Sequence, residues 1–380
     1  MMDKVQKHNI PNNQRNSSIE LCRIIVMFMI VLCHFATFGG FKFDNSTISI
    51  PRIWWHFIEM GGVFGVDVFV LISGYFLVSD TKLTINFKKL FRLWGQVFFY
   101  SIVLFALACV TGIIDFSGNQ LLKALFPVIT DSWWFVTTYI VLYLIHPYIN
   151  KLLLGLGKRQ YQNLLLIEFG IWCVIPTLTS FKLASSDLID FIFLYTIAGY
   201  IKLHGHTTKL KSRHYFIIWI IATLFTLSSS IAFMILGKRI PFFADRALAF
   251  YGRKSLPTLI RAISFFMIFE RMRIPYHRMI NLVSSATLGV YLIHENSNIK
   301  LFLWNTLFKN SQYQDSLLII PYSIFVAAVV FLVCMLIDLS RKKLIEPIYM
   351  QTIDTLCRKT ENKTKKITAQ IRKLLFGNNP

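Results

Sequence analysis

The sequence predicts an all-α, polytopic integral membrane protein with about ten transmembrane helices and both termini in the cytoplasm. Hydrophobic residues make up 55% of the 380 residues and charged residues only 16%, whereas soluble domains carry roughly 25% charged residues. Lys and Arg nevertheless outnumber Asp and Glu by 40 to 19. This combination is typical of apolar spans joined by basic loops. It argues against a soluble enzyme, a secreted domain or a nucleic-acid-binding protein.

Ten stretches approach the length of about 20 mostly apolar residues that a transmembrane helix needs. They are 19–38, 61–79, 94–113, 131–149, 161–181, 187–203, 214–236, 256–274, 283–303 and 316–339. Basic residues collect before the first stretch, in alternate gaps and after the last one, which predicts cytoplasmic termini. The gap 237–255 disagrees, because it should lie outside but carries five basic residues. Either the count fails locally, or this loop meets an anionic molecule.

The chain is predicted to form one membrane domain with two short flanks. We expect a cytoplasmic N-terminal segment at 1–18, a transmembrane domain at 19–340 and a basic cytoplasmic tail at 341–380. Within the tail, 357–376 combines basic residues with apolar residues at helical spacing, so an amphipathic helix along anionic lipid is predicted. The six cysteines have no metal-ligand spacing, and no metal is expected.

Ionisable side chains inside spanning helices are the main functional signal, because burying them in a membrane is unfavourable. The first helix carries Arg23 near its cytoplasmic end and His34 eleven residues later. Eleven residues amount to three turns plus about 20°, so both side chains project from one face, about 16 Å apart along the axis. Glu20 is placed to pair with Arg23. The aligned pair predicts a polar passage along this helix.

Later helices add further candidates. Asp67, in the second helix, is expected at about the depth of His34, where a carboxylate could orient the histidine. Arg261 falls in the outer half of the eighth helix. His294 and Glu295 are followed by a third polar residue in the ninth helix, and three consecutive residues cannot share one helical face. We therefore predict that part of this stretch lines a cavity or is locally unwound.

Sorted by predicted depth, the candidates form two groups. The outer group has acid–base character and comprises His34, Asp67, Arg261, His294 and Glu295. The inner group is cationic, which suits the binding of phosphates, and comprises Arg23, Lys88, Lys89 and Arg92.

These motifs resemble the membrane acyltransferase 3 family, the multi-spanning O-acyltransferases of bacterial surface glycans. The similarity covers most of the chain. It rests on Arg23 followed by ten residues and His34, and on the Phe64–Phe76 stretch around Asp67. Weaker support comes from the basic stretch Lys88–Arg92 and from Leu288–His294. One departure is Glu295, which stands where the family commonly has proline.

The resemblance implies transfer of an acetyl or other short acyl group from cytoplasmic acyl-CoA to a hydroxyl of a surface or lipid-linked saccharide. Acetyl-CoA would be a cosubstrate, with no bound cofactor, and the enzyme would be a multi-pass protein of a bacterial plasma membrane. His34 is the candidate general base, oriented by Asp67 or Glu295. An acyl-enzyme on His34 is the open alternative.

The other predicted roles follow the same division by depth. Arg23, Lys88, Lys89 and Arg92 would hold the CoA phosphates, and Arg261 would stabilise the developing oxyanion. The basic 237–255 loop would hold an anionic acceptor. Two other classes of protein stay open: a transporter or flippase for a lipid-linked saccharide or small solute, since carriers also use intramembrane charges, and a scaffold for glycan synthesis. The oligomeric state is not predicted.

Overall fold

A computed structural model describes residues 15–43, 48–179, 181, 183, 185–205, 209–244, 249–355 and 357–358. Every regular element among these residues is helical, which confirms the all-α prediction. The predicted N-terminal segment begins in residues outside the described part. The predicted amphipathic helix 357–376 also lies outside it, except for 357 and 358.

Fourteen α-helices occur in the described chain. They are α1 (Ser17–Phe38), α2 (Ile50–Leu77), α3 (Phe87–Val110), α4 (Gly118–Leu125), α5 (Trp134–Gly155), α6 (Lys158–Phe169), α7 (Ile175–Thr179), α8 (Asp187–His204), α9 (Ser212–Gly237), α10 (Pro241–Ala244), α11 (Leu256–Arg271), α12 (Arg278–Ser285), α13 (Thr287–His294) and α14 (Ile319–Leu344). A π-helical stretch, Gly170–Val174, joins α6 to α7 as one continuous rod.

Six of the described helical rods are long and apolar enough to cross a membrane. They are Ser17–Phe38, Ile50–Leu77, Phe87–Val110, Lys158–Thr179, Ser212–Gly237 and Ile319–Leu344. Their length and hydropathy, with the exposed apolar side chains along α9 and α14, make this a multi-pass membrane protein. The total of about ten spans and the cytoplasmic position of both termini stay predictions.

The antiparallel pair α1 and α2 forms the centre of the fold. α1 begins at a helix cap in which the Asn16 side chain accepts from the backbone N–H groups of Ser18 and Ile19. Gly62 of α2 lies directly against Cys33, and a Cβ at Gly65 would lie 3.1 Å from Ile30. These glycines let the two backbones approach closely, so the depth of each α1 residue is fixed relative to α2.

Two predicted spans differ from the structure. α2 begins at Ile50, eleven residues before the predicted start at 61. The predicted start was too late because the first three turns of α2 contain polar residues that lower the hydropathy, among them Arg52 and His56, which are buried. The predicted span 283–303 is not one helix. It comprises the end of α12, the two-turn helix α13 and an irregular segment after His294, as the run of polar residues had indicated.

The chain continues as a helix beyond α14 and packs against α3. The ring of Tyr349 covers Gly95, where a Cβ would lie 2.9 Å from it. Arg341, at the end of α14, is buried and pairs with Asp338 at 2.8 Å and with Glu346 at 3.2 Å. These contacts fasten the start of the tail to the same end of the bundle as the beginning of α1 and α3.

Candidate active site

His34 and His294 meet at the junction of α1 and α13. Nδ1 of His34 lies 2.9 Å from Nε2 of His294, and Nδ1 of His294 lies 2.5 Å from the carbonyl oxygen of Val290. His294 is fully buried, whereas the His34 side chain keeps 17% of its surface exposed. The accessible member of the pair is therefore the histidine of α1.

These contacts determine the tautomers of both neutral rings. A carbonyl oxygen only accepts, so Nδ1 of His294 carries its proton and donates to Val290. Nε2 of His294 must then accept, and the donor facing it is Nδ1–H of His34. The remaining nitrogen of His34, Nε2, has a free lone pair. Such a nitrogen, on a partly exposed ring, can take a proton from a reactant.

Glu295 adds a negative charge beside the same ring. Its Oε2 lies 3.2 Å from Nδ1 of His34 without making a hydrogen bond to it. This carboxylate is placed to stabilise the imidazolium that forms when His34 takes a proton. Of the two residues expected to orient His34, Glu295 is the one the structure brings to it.

Lys300 completes the group and was missed in the sequence. Its Nζ lies 3.0 Å from Oε1 of Glu295 and 4.2 Å from the centroid of the Phe38 ring. We call His34, His294, Glu295 and Lys300 the histidine cluster. The available signal was Lys300 itself, a cation five residues after Glu295 and directly before an apolar stretch, but only the turn after α13 brings the two together.

The structure separates Asp67 from His34, which corrects the expectation that this aspartate orients the histidine. Gly65 of α2 faces α1, and two residues further along a helix is a rotation of about 200°. Asp67 therefore points away from α1. The contact between Gly65 and Ile30 also places it more than a turn deeper than His34, rather than at the same depth.

Asp67 belongs instead to a second group of charged residues, which we call the aspartate cluster: Asp67, Asp190, Arg253 and Lys254. They line a small cavity of about 20 Å³, with room for about one water molecule. Lys254 Nζ lies 3.1 Å and Arg253 Nη2 3.4 Å from the Asp190 carboxylate. Arg253 also pairs with Asp187 and stacks on Trp134.

This cluster explains part of the unexpected basic charge in the segment 237–255. Arg253 and Lys254 neutralise carboxylates at the beginning of α8, and they tie the loop before α11 to that helix. For these two residues, the protein itself supplies the anionic partner. Arg246 lies outside the described residues, so the prediction that the loop holds an anionic acceptor stays a prediction for the rest.

Arg261 also lies apart from the histidine cluster. It is almost fully buried, donates from Nη2 to the carbonyl oxygen of Met60 at 2.9 Å, and covers the Phe64 ring at 4.7 Å. Met60 and Phe64 lie on the face of α2 turned away from α1, as Asp67 does. No described hydrogen bond or ion pair joins Arg261 to His34, while its Nε and Nη1 are buried without a described partner, so its role at the oxyanion stays a prediction.

At the other end of α1, Arg23 lies beside Glu20. Their charged groups are 3.7 Å apart, and the Arg23 side chain keeps 28% of its surface exposed. Glu20 is also bonded to Ser284 of α12. Nε of Arg23 is buried and has no hydrogen-bond partner in the described part of the chain. The predicted pairing with Glu20 is present, and part of the guanidinium stays available.

The basic stretch at the beginning of α3 opens onto a large cavity of about 760 Å³. Lys82, Lys88 and Arg358 contribute cations to its wall, and Asp80 and Asp354 contribute carboxylates. Lys88 is paired with Asp354 at 2.8 Å. Arg92 pairs with Glu346 at 3.4 Å instead, and neither Arg92 nor Lys89 is among the residues that line the cavity.

The cavity and Arg23 lie at the same end of the bundle, because α1 and α2 are antiparallel and α3 begins shortly after α2 ends. His34 lies about 16 Å further along α1. The structure thus retains part of the predicted division into an acid–base group and a cationic group. The first retains His34, His294 and Glu295, and the second retains Arg23 and Lys88 at separate positions.

A family model described as an acyltransferase domain matches residues 16–339 of the chain. This match includes α1 to α13 and most of α14. No curated protein and no solved structure matches the chain.

Proposed function

The chain belongs to the acyltransferase 3 family, and from this membership we propose that it is an O-acyltransferase. In this proposal an acetyl or other short acyl group passes from acyl-CoA to a hydroxyl of a surface or lipid-linked saccharide. The observation that carries the proposal is the free Nε2 of His34. A sugar hydroxyl is a poor nucleophile, and a positioned base that takes its proton during attack overcomes this.

The proposed reaction proceeds by direct attack. The acceptor oxygen forms a bond to the thioester carbonyl carbon as Nε2 of His34 takes the hydroxyl proton. His294 holds the ring through the bond at Nδ1, and Glu295 offsets the new positive charge. When the intermediate collapses, the carbon–sulfur bond breaks, and the CoA thiolate leaves and takes the proton from His34. The products are an ester and free CoA.

The large cavity at the beginning of α3 is the proposed seat of the CoA nucleotide. Its volume of about 760 Å³ lies within the roughly 300–1,000 Å³ usual for small-molecule sites. Lys82, Lys88 and Arg358 suit phosphate groups. From this end the pantetheine arm would pass Arg23 and carry the thioester along α1 toward His34, a distance comparable to the length of that arm.

The proposal is tested with purified protein, acetyl-CoA and surface polysaccharide from a gene-deletion strain as the acceptor, by following the release of CoA thiol. We expect His34→Ala to lower thiol release by about 10²- to 10⁴-fold, the usual contribution of a general base. The matched control is His214→Ala, in the first turn of α9, which should keep the wild-type rate. Wild-type activity in His34→Ala at equal protein levels would refute the assignment of the base.

The acceptor is addressed by a second measurement. Deleting the gene and recording NMR spectra of surface polysaccharides should reveal missing O-acyl signals. Complementation with the wild-type chain should restore them, and complementation with His34→Ala should not. If the signals persist after deletion, the acceptor is not a surface polysaccharide.

A further inference from the structure

Tyr291 lies next to the histidine cluster, and none of the contacts described so far involves it. It lies on α13 one turn before His294, and its ring stands edge-on to the His294 ring at 6.3 Å between centroids. A second edge-on contact, at 6.0 Å, joins it to Phe135 at the beginning of α5. These two contacts hold the ring in one orientation beside the candidate base pair.

The hydroxyl of Tyr291 is buried and has no hydrogen-bond partner among the described residues. Other deeply placed tyrosines are satisfied by protein acceptors: Tyr75, Tyr100, Tyr161, Tyr195 and Tyr251. An unpaired buried hydroxyl is unfavourable. Such a group persists when a ligand supplies the missing partner or when it takes part in catalysis.

The surroundings indicate which partner is missing. The Tyr291 ring lies edge-on to the His294 ring, and His294 contacts His34 through Nε2. The hydroxyl therefore lies beside the candidate base pair. A phenol donates one hydrogen bond, so the fitting partner is an oxygen that gains negative charge during the reaction. Arg261, the residue first expected in this role, lies apart from the histidine cluster, where its Nη2 donates to Met60.

We propose that the Tyr291 hydroxyl is a catalytic group that donates a hydrogen bond to the acyl oxygen of the thioester in the transition state. This inference rests on the proposed function. As the acceptor oxygen attacks, the electron pair of the carbonyl moves onto the acyl oxygen, and Tyr291 stabilises it without giving up its proton. Collapse of the intermediate restores the carbonyl and releases the hydrogen bond, while the thiolate departs and His34 returns its proton.

The test is Tyr291→Phe, which removes one oxygen atom and breaks no described protein contact. We expect kcat for thiol release from acetyl-CoA to fall by about 10²- to 10³-fold, the usual effect of losing one oxyanion donor. Binding of S-ethyl-CoA, a thioether that lacks the acyl oxygen, should change less than about twofold, because this ligand cannot accept the proposed bond. The midpoint of thermal unfolding should not fall.

The matched control is Tyr195→Phe, which breaks a buried hydrogen bond of 2.6 Å to Asn150. It should lower the unfolding temperature and leave kcat of the folded protein unchanged. A kcat for Tyr291→Phe within about threefold of wild type would overturn the inference, as would a parallel loss of S-ethyl-CoA binding and stability. If the wild-type protein released no thiol from acetyl-CoA, the proposed function would fail and the role of Tyr291 with it.

Discussion

The histidine cluster and the aspartate cluster both place charged groups deep in a membrane domain, but they differ in what is left unsatisfied. In the aspartate cluster, Asp190 has two cationic partners, and the cavity between them has room for about one water molecule. In the histidine cluster, three of the four ring nitrogens of His34 and His294 take part in described hydrogen bonds. The fourth, Nε2 of His34, has a lone pair with no described partner. That lone pair lies on a partly exposed ring.

The difference shows that intramembrane charge alone does not identify a catalytic site. Both clusters contain carboxylates and cations, and both join distant parts of the chain. In the aspartate cluster, the pairing of Asp190 with Arg253 and Lys254 joins α8 to the loop before α11, which suits a role in holding the bundle together. The histidine cluster ends in Nε2 of His34, an acceptor with no donor among the described residues, which suits a reaction. Substitutions at Asp190 and Glu295 test this division, and a further pair of substitutions tests the large cavity.

The largest effect is expected at Asp190 of the aspartate cluster. Asp190→Ala removes the shared partner of Arg253 and Lys254, and breaking a buried ion pair from one side destabilises a protein by about 3–5 kcal/mol. Thermal unfolding in detergent should show this loss, while thiol release per folded molecule stays at the wild-type rate. The control is Asp187→Ala, because the Asp187 side chain is 48% exposed. Loss of turnover in folded Asp190→Ala would contradict the division.

A smaller effect is expected at Glu295 of the histidine cluster. Glu295→Gln keeps the size of the side chain but removes the charge beside His34, so the imidazolium formed during the reaction is less stable. Coupling between contacting groups is about 0.5–3 kcal/mol. We expect turnover to fall by about 10- to 100-fold with little change in unfolding temperature. A large fall in stability with unchanged turnover would assign Glu295 to structure instead.

The smallest effect is expected at the large cavity. Lys88, which is proposed to bind the CoA phosphates, is paired with Asp354. Asp354→Asn should therefore leave this lysine available to the phosphates. Exposed ion pairs contribute about 0–1 kcal/mol, which corresponds to a fall in KM for acetyl-CoA of at most about fivefold. Lys88→Glu should raise the same KM. Unchanged KM in both variants would remove the phosphate assignment.

Parts of this structure followed directly from the sequence. α1 was predicted within two residues of its start because its apolar run is long and continuous, and the unwinding after His294 was indicated by three consecutive polar residues. The early start of α2 was not predicted, since its first turns contain the ionisable residues Arg52, His56 and Glu59. Their burial depends on tertiary contacts, such as that of Tyr251 with Glu59, which hydropathy does not register.

The candidate site was predictable in its residues and less so in its pairings. The alignment of Arg23 and His34 follows from helical periodicity alone. The contact of His34 with His294 joins residues 260 positions apart, and no local pattern determines it. Asp67 was misplaced because the sequence does not say which face of α2 meets α1. Gly62 and Gly65 determine that face through the space they leave, which only the packed pair reveals.

The buried beginning of α2 has a consequence for how the protein is made. Its first turns carry Glu59, whose partner Tyr251 follows 192 residues later in the chain. At a synthesis rate of about 5–20 residues per second, that partner emerges about 10–40 s after Glu59. Until then, this part of α2 has polar groups that lipid does not satisfy. We therefore expect the second span to be inserted early but to reach its final depth only when the loop before α11 arrives.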